Sequence, residues 1–353
     1  MLRLVLEEGG PGFCQFAITD ACNARCAFCS FARDALSVGE RSYAAPEAAA
    51  AAIDILSRRG IRYLVITGGE PLLHPHLEGI VGHAAVRGMR VLLVTNGALL
   101  TEQRIQALAG AGLSGFIISI DAMDEEAHET NRGLPGVCRK IGEANGLIKR
   151  WRMSSTASVT MSRLVDYDAV PAFLRSLGFS SVTFSYPLEH LASSFRGYAP
   201  SELVSYRDDE LIEAFEAVKR LKKRFAVVNP TPSLEEMQRF VRKEPQRYPC
   251  LAGYKYFYLD WNLDLWRCHN GGNPLCSVFD FDGSQCVRDG CTRCMIDCYR
   301  DSSVMHQVGI ALHDAYLSLR AFRPGAAAQA LLNRSTFGSL RAVIEEFTWI
   351  RRL

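Results

Sequence analysis

The sequence lacks any uninterrupted apolar run of roughly 18 or more residues, the length a membrane-spanning helix needs. It also lacks a secretory leader, because Glu7, Glu8 and two glycines interrupt the first residues before an apolar signal core forms. Both absences point to a cytoplasmic protein. Neither sign of charge is in excess: 40 Lys and Arg face 38 Asp and Glu, a formal net charge of +2. No local basic stripe breaks that balance, so no nucleic-acid partner is expected. No repeat of solenoid period is present, and the only low-complexity tract is the alanine run 48–52, which a helix explains. Apolar residues and cysteines, by contrast, are plentiful. Of 353 residues, 48% are hydrophobic, ample for a packed core and too many for a disordered or collagen-like chain. The length suits one large domain with a smaller appendage.

The twelve cysteines fall in groups. Cys22, Cys26 and Cys29 sit together, seven lie from Cys250 to Cys298, and only Cys14 and Cys138 stand apart. A disulfide framework suits a short secreted chain, so metal ligation is the better reading here. Cys14 and Cys138 read as ordinary buried residues.

Between the two groups, short β-branched or apolar runs alternate with segments of helical period. Strands are predicted at 14–19, 63–67, 90–95, 115–120, 155–161 and 181–186, and helices at 46–59, 76–87, 101–109, 137–149 and 166–177. Six strand-then-helix repeats imply a parallel sheet with right-handed crossovers, either open and doubly wound or curled into a partial barrel. In both, ligands bind beyond the C-terminal strand ends. A further helix at 201–224 closes this unit, and Pro230, Pro232, Pro245 and Pro249 suggest a linker. The expected organisation is 1–229 as the α/β domain, 230–300 as a small metal-held domain, and 301–353 as C-terminal helices.

Cys22-x3-Cys26-x2-Cys29 follows the first predicted strand, at the ligand-binding end of the sheet. A structural zinc wants four protein ligands, and this loop offers no His or fourth Cys. A [4Fe-4S] cluster with one open iron satisfies the count. The spacing resembles the signature of the radical S-adenosylmethionine (SAM) superfamily, whose fold is a partial (β/α)6 TIM barrel. Further motifs carry the resemblance in the correct order: Gly68-Gly69-Glu70-Pro71 after the second strand, Thr95-Asn96-Gly97 after the third, Ser119-Ile120-Asp121 at the fourth, and Asn131-Arg132-Gly133 downstream. Taken singly, the glycine pairs are turns and Asp121 a helix cap. The resemblance implies that Cys22, Cys26 and Cys29 hold a [4Fe-4S] cluster whose open iron chelates SAM. It also implies that the Gly68–Pro71 motif meets the methionine amino group, with Glu70 contacting the ammonium, that Ser119 and Asp121 meet the ribose, and that Phe28 meets adenine. Thr95, Asn96 and Arg132 are further cofactor candidates. Glu189 and His190, beyond the sixth strand, are candidates for an acid or base serving the substrate.

In the second group a predicted hairpin around Trp261-Asn262 brings in Cys268, and Cys291-x2-Cys294-x3-Cys298 forms a compact loop. The segment resembles the SPASM and twitch extensions, which carry auxiliary [4Fe-4S] clusters, with the one-cluster twitch form fitting better. Cys250, Cys268, Cys291 and Cys294 are the favoured ligands and Cys298 the substitute. Cys276 and Cys286 read as free thiols, and zinc stays open as an alternative.

The resemblance implies an oxidoreductase that abstracts a substrate hydrogen, uses the auxiliary cluster as electron acceptor, and draws on an external donor such as flavodoxin or ferredoxin. Only 21 residues precede Cys22, which favours a small or lipid-linked sugar-like or cyclitol-like substrate over a peptide or protein maturase. A non-catalytic metal-binding scaffold explains neither the Gly68–Pro71 motif nor Ser119 and Asp121. In the last helix Phe337, Leu340, Val343, Ile344, Phe347 and Ile350 recur at helical spacing, and packing onto the barrel or auxiliary domain is expected. The alternative is membrane contact through this helix, because Trp349 lies beside Arg351 and Arg352.

Overall fold

The computed structural model describes residues 2–31, 34 and 37–350. A short helix α1 (Leu2–Glu8) leads into β1 (Gly12–Ala17). The chain then alternates through α2 (Pro46–Arg58), β2 (Ile61–Thr67), α3 (Leu77–Val86), β3 (Arg90–Thr95), α4 (Glu102–Gly110) and β4 (Gly115–Ile120). Two helices, α5 (Glu125–Arg132) and α6 (Val137–Arg150), precede β5 (Ser154–Thr160), and α7 (Val170–Ser176) precedes β6 (Ser181–Ser185). Then come α8 (Asp208–Leu221) and β7 (Ala226–Val227). Strands β1 to β7 pair in parallel in chain order, giving the partial barrel, with residues such as Phe16, Ile66, Leu93 and Ile118 fully buried under the helices.

Local chemistry sets the element ends. Pro46 opens α2, where its missing N–H is no loss. Thr101 and Asp124 cap α4 and α5 through their side chains. Two expected helices start later than periodicity suggests. Asp166 accepts from the N–H groups of Asp168 and Ala169 and holds a turn ahead of α7. The segment from Ser201 is likewise a turn, and α8 begins only at the acidic triplet Asp208, Asp209 and Glu210.

The prolines at 230 and 232 mark no linker. They introduce α9 (Thr231–Val241), because proline is tolerated in a first helical turn. Strand β8 (Tyr256–Leu259) then pairs in parallel with β1, followed by the antiparallel β9 (Asp264–Trp266) and β10 (Cys276–Ser277). The cysteine-rich segment therefore extends the barrel's own sheet to ten strands. Asp260 shapes the β8–β9 turn by accepting from Asn262 N, Asp264 N and the indole of Trp266.

Helix α10 (Asp297–Arg320) places Cys298 in its first turn, and α11 (Pro324–Leu331) and α12 (Arg334–Ile350) follow. The expected inward packing of the α12 apolar stripe is not met at three positions: Phe337, Leu340 and Ile344 face solvent and Val343 is half-buried, while Ser339 and Ala342 are buried. Ser339 Oγ donates to Met305 O and accepts from Val308 N, and this close approach to α10 leaves no room for large side chains between the helices. The side chains of 347–350 and residues 351–353, which carried the rest of the expected stripe and its Trp–Arg end, lie outside the described residues. Among the described residues, no helix is long and apolar enough to cross a membrane.

Candidate functional site

The loop after β1 is anchored before its first cysteine. Thr19 donates its hydroxyl to Ser42 O and accepts from Ala21 N, and Asp20 accepts from Ser42 N. Backbone bonds then strap this loop to the end of β2: Gly69 N donates to Thr19 O at 2.9 Å, and Glu70 N to Ala21 O at 2.7 Å. Gly68 has φ +134°, and a Cβ on Gly68 or Gly69 would strike the Thr19 or Ala21 carbonyl. Only glycine permits that approach.

Glu70 is fully buried, and its carboxylate accepts from Leu72 N (3.0 Å), Thr95 Oγ1 (2.8 Å) and Asn96 N (2.8 Å). Burial raises its pKa against the pull of those donors. Asn96 in turn donates to Asn23 in the cysteine loop. Glu70 thus ties the ends of β2 and β3 together, and with both oxygens committed it does not line the cavity described below.

Asp121 is treated alike. It accepts from Arg132 (2.6 Å) and Asn131 (2.8 Å), and its own N–H donates to His128 Nδ1. The Arg132 carbonyl then accepts from Arg25 N, joining α5 to the cysteine loop. Burial pulls the Arg132 guanidinium down, and Asp121 and the Cys26 thiol more than reverse this, leaving it raised and charged.

Cys22, Cys26 and Cys29 face one cavity of about 170 Å³. Of the expected cofactor residues, Phe28, Gly68, Gly69, Thr95, Asn96, Ser119 and Arg132 line it, whereas Glu70, Pro71 and Asp121 stand behind it. Burial raises all three thiols, Cys26 to about 12. They are held protonated until a cation displaces the protons. Arg132 lines the cavity, and its Nε is buried without a hydrogen-bond partner. Three thiols around one cavity, a glycine cradle and an unspent guanidinium donor fit a [4Fe-4S] cluster with SAM. Among the described residues, no group of three or more His, Cys, Asp or Glu side chains is arranged as the ligand set of a single metal ion.

Thr160, in the predicted fifth strand, also lines the cavity, as do Phe195, Gly197 and Tyr198, which no motif in the sequence singles out. The last three belong to a strap after β6 that lies across the cysteine loop: Ser30 N donates to Arg196 O, and Ala199 N to Phe28 O. The signal available was an aromatic–Gly–aromatic cluster following a strand end. Glu189 and His190, expected at the mouth, are absent from the lining, and His190 is exposed.

The strap also reaches the second cysteine group. Phe195 stacks on His269, next to Cys268, with ring centroids 3.9 Å apart, and Ser193 N donates to His269 O. Tyr198 hydrogen-bonds Ser185 and lies within the fields of Asp297, Cys298 and Cys29; burial, then these charges, keeps its phenol protonated. Cys250, Cys268, Cys291, Cys294 and Cys298 gather around Leu251, Tyr256 and Tyr299. Burial raises Cys268 to about 12 and also raises Cys294 and Cys298. Burial pushes Cys291 the same way, but its own turn's N–H and hydrogen-bonding side chain of Arg293, with the charge of Arg267, bring it below the usual thiol value. Cys298 hydrogen-bonds Gln15 on β1, while Cys276 and Cys286 pack elsewhere, against the main core.

Acid is expected to loosen this site through His128. Burial lowers its pKa from 6.5 to about 4, so between those values the unfolded chain binds a proton that the folded chain refuses. Stability contributed by neutral His128 is therefore lost as pH falls from 6.5 towards 4. Melting temperatures measured down that range should drop less steeply for His128→Gln than for wild type. Parallel curves would place the acid sensitivity elsewhere.

Residues 16–152 match a family model described as the radical SAM superfamily. GTP 3',8-cyclase of Chlorobaculum tepidum is 28% identical over 169 residues, 46% of this chain and 48% of that protein. AdoMet-dependent heme synthase of Methanosarcina barkeri is 32% identical over 134 residues, 38% of each. The matched part spans less than half the length of either relative. Among solved structures, Streptococcus suis SuiB bound to S-adenosylmethionine has a TM-score of 0.55 at 14% identity, covering 73% of this chain and 60% of that one. Native anSMEcpe with bound AdoMet has 0.54 at 14% identity, covering 97% and 98%. At such identities these structures establish a shared fold.

Proposed function

We propose that this chain, a member of the radical SAM superfamily through its residues 16–152, carries out a two-electron oxidation of a small or lipid-linked metabolite of sugar or cyclitol type. The observation that carries this reading is the convergence of Cys22, Cys26 and Cys29 on one cavity, joined by the 193–199 strap to a second cysteine group. When bound, a [4Fe-4S] cluster with SAM would supply a 5'-deoxyadenosyl radical to take a hydrogen atom from a carbinol C–H bond, and after the hydroxyl proton leaves to solvent an auxiliary cluster would accept the remaining electron, giving the carbonyl.

The chain's own residues bind, orient and exclude water. Cys22, Cys26 and Cys29 hold the first cluster, and Cys250, Cys268, Cys291 and Cys294, with Cys298 beside them, are the ligand candidates for the second. Gly68 and Gly69 let the end of β2 close onto the cysteine loop, and Asn96, Ser119 and Arg132 offer the cofactor polar contacts. Phe195 and Tyr198 line the cavity beneath the strap, which limits water at the reacting carbon. Burial keeps the Tyr198 phenol protonated beside Ser185. A low-potential one-electron donor protein such as flavodoxin or ferredoxin is the required partner.

Protein reconstituted anaerobically with iron and sulfide should release 5'-deoxyadenosine from SAM under reduction, and failure to do so would overturn the reading. Candidate sugar and cyclitol alcohols should then yield the carbonyl product with one SAM consumed per turnover. Cys294→Ala is expected to keep the first cluster and go on forming 5'-deoxyadenosine while product falls to background, as mass spectrometry would report. Equal product yield from the variant would relegate the second cysteine group to structural support.

A further inference from the structure

The C-terminal helices are built inside out. On α12 the inward residues are small or polar: Ser339 and Ala342 are fully buried, and Glu346 pairs with Lys222. The large residues Phe337, Leu340 and Ile344 recur at one-turn spacing on the outer face, where they are 60%, 46% and 66% exposed. Asp301 and Glu345 both reach the 231–233 segment, and Val308 meets Ser339, so α12 runs back antiparallel along α10. The turns flanking α11 therefore stand at the far end of this unit. There Phe322 is 93% exposed and Leu332 70%. Phe322 also has φ +55°, a left-handed backbone that disfavours a bulky side chain, yet it holds an aromatic ring out in water.

The exposed charges that α10–α12 themselves bring to this face are of one sign, with Glu235 of α9 standing 3.7 Å from Arg341. Arg320, Arg323, Arg334 and Arg341 are all exposed. The acids of the same helices are committed elsewhere: Asp314 to Arg288, Glu345 and Glu346 to Lys222, and Asp297 and Asp301 inside the protein. An apolar face rimmed by arginines is matched by an anionic surface. A second copy of the chain is a poor match, because a two-fold contact would set the arginine rim against itself. Neither the cavity at Cys22, Cys26 and Cys29 nor the one beside Tyr167 and Tyr206 includes any of these residues.

We propose that α10–α12 dock the protein reversibly on an anionic lipid surface, with Phe322 and Leu332 entering the headgroup boundary and the arginines meeting lipid phosphates. The helices lie on the bilayer and do not span it. Docking of this kind is independent of the chemistry in the barrel.

The test is co-sedimentation of the whole reconstituted chain with vesicles of phosphatidylcholine, alone or mixed with phosphatidylglycerol. Binding is expected with the phosphatidylglycerol vesicles and should weaken in raised salt. The pair Phe322→Asp and Leu332→Asp should weaken it about tenfold or more. Arg320→Glu with Arg323→Glu gives a second variant that leaves the apolar tip intact and should also lose binding. Both variants should melt like wild type and keep forming 5'-deoxyadenosine. No binding by wild type, equal binding to phosphatidylcholine alone, or binding unmoved by either variant would overturn the proposal. So would a dimer in light scattering that Phe322→Asp dissociates.

Discussion

Cys26→Ala is expected to abolish 5'-deoxyadenosine formation altogether. The three cysteines share one cavity, and the backbone ties between the 19–21 segment and Gly69–Glu70 hold the loop in one arrangement. No other thiol of the first group remains to replace Cys26, so two ligands are left for a site that needs three. Anaerobic iron and sulfide quantification provides the parallel measurement: roughly eight irons in wild type should fall to four in the Cys22/Cys26/Cys29 triple alanine variant if one auxiliary cluster is present. Twelve falling to roughly eight would indicate two auxiliary clusters. Retained 5'-deoxyadenosine in Cys26→Ala would sink the assignment of the site.

The second large effect is expected at Arg132. Its guanidinium meets Asp121 at 2.6 Å with both side chains buried, at the junction between α5 and the first cysteine loop. Arg132→Met leaves a buried carboxylate without its counter-charge, which costs about 3–5 kcal/mol. It also removes the unpaired Nε donor from the cavity wall. Unfolding in urea should report the lost stability, and equilibrium dialysis should report weakened SAM binding. Adding Asp121→Asn to Arg132→Met should restore most of the stability but not the affinity, because the orphan charge is removed while the donor stays missing. A single variant as stable as wild type would show that the pair contributes little.

Where hydrophobic periodicity and turn chemistry agree, sequence reading locates elements closely. Strands β3 and β4 lie at the predicted 90–95 and 115–120, and α2 begins at Pro46 as predicted. The reading is weaker where one residue type serves opposite ends. Proline breaks a helix interior but opens a first turn, so α9 was read as a linker. The α12 stripe carried a correct period, yet period says only that one face is apolar and not which way it faces.

The candidate site divides along the same line. Cysteine spacing, the Gly68-Gly69 pair and the order of motifs after successive strands are local properties of the chain, and they carry its resemblance to the radical SAM superfamily, whose model residues 16–152 match. Whether Glu70 and Asp121 touch a ligand or brace the wall depends on how many donors the folded chain points at their oxygens, and those donors come from β3, the following loop and α5. The strap carrying Phe195 and Tyr198, and the gathering of five of the seven late cysteines around Tyr256 and Tyr299, likewise arise from pairing between distant segments. Local spacing thus carries the resemblance on which the proposed chemistry rests. Only tertiary packing decided which side chains face it, because burial and hydrogen-bond satisfaction are properties of neighbours that sequence separation does not reveal.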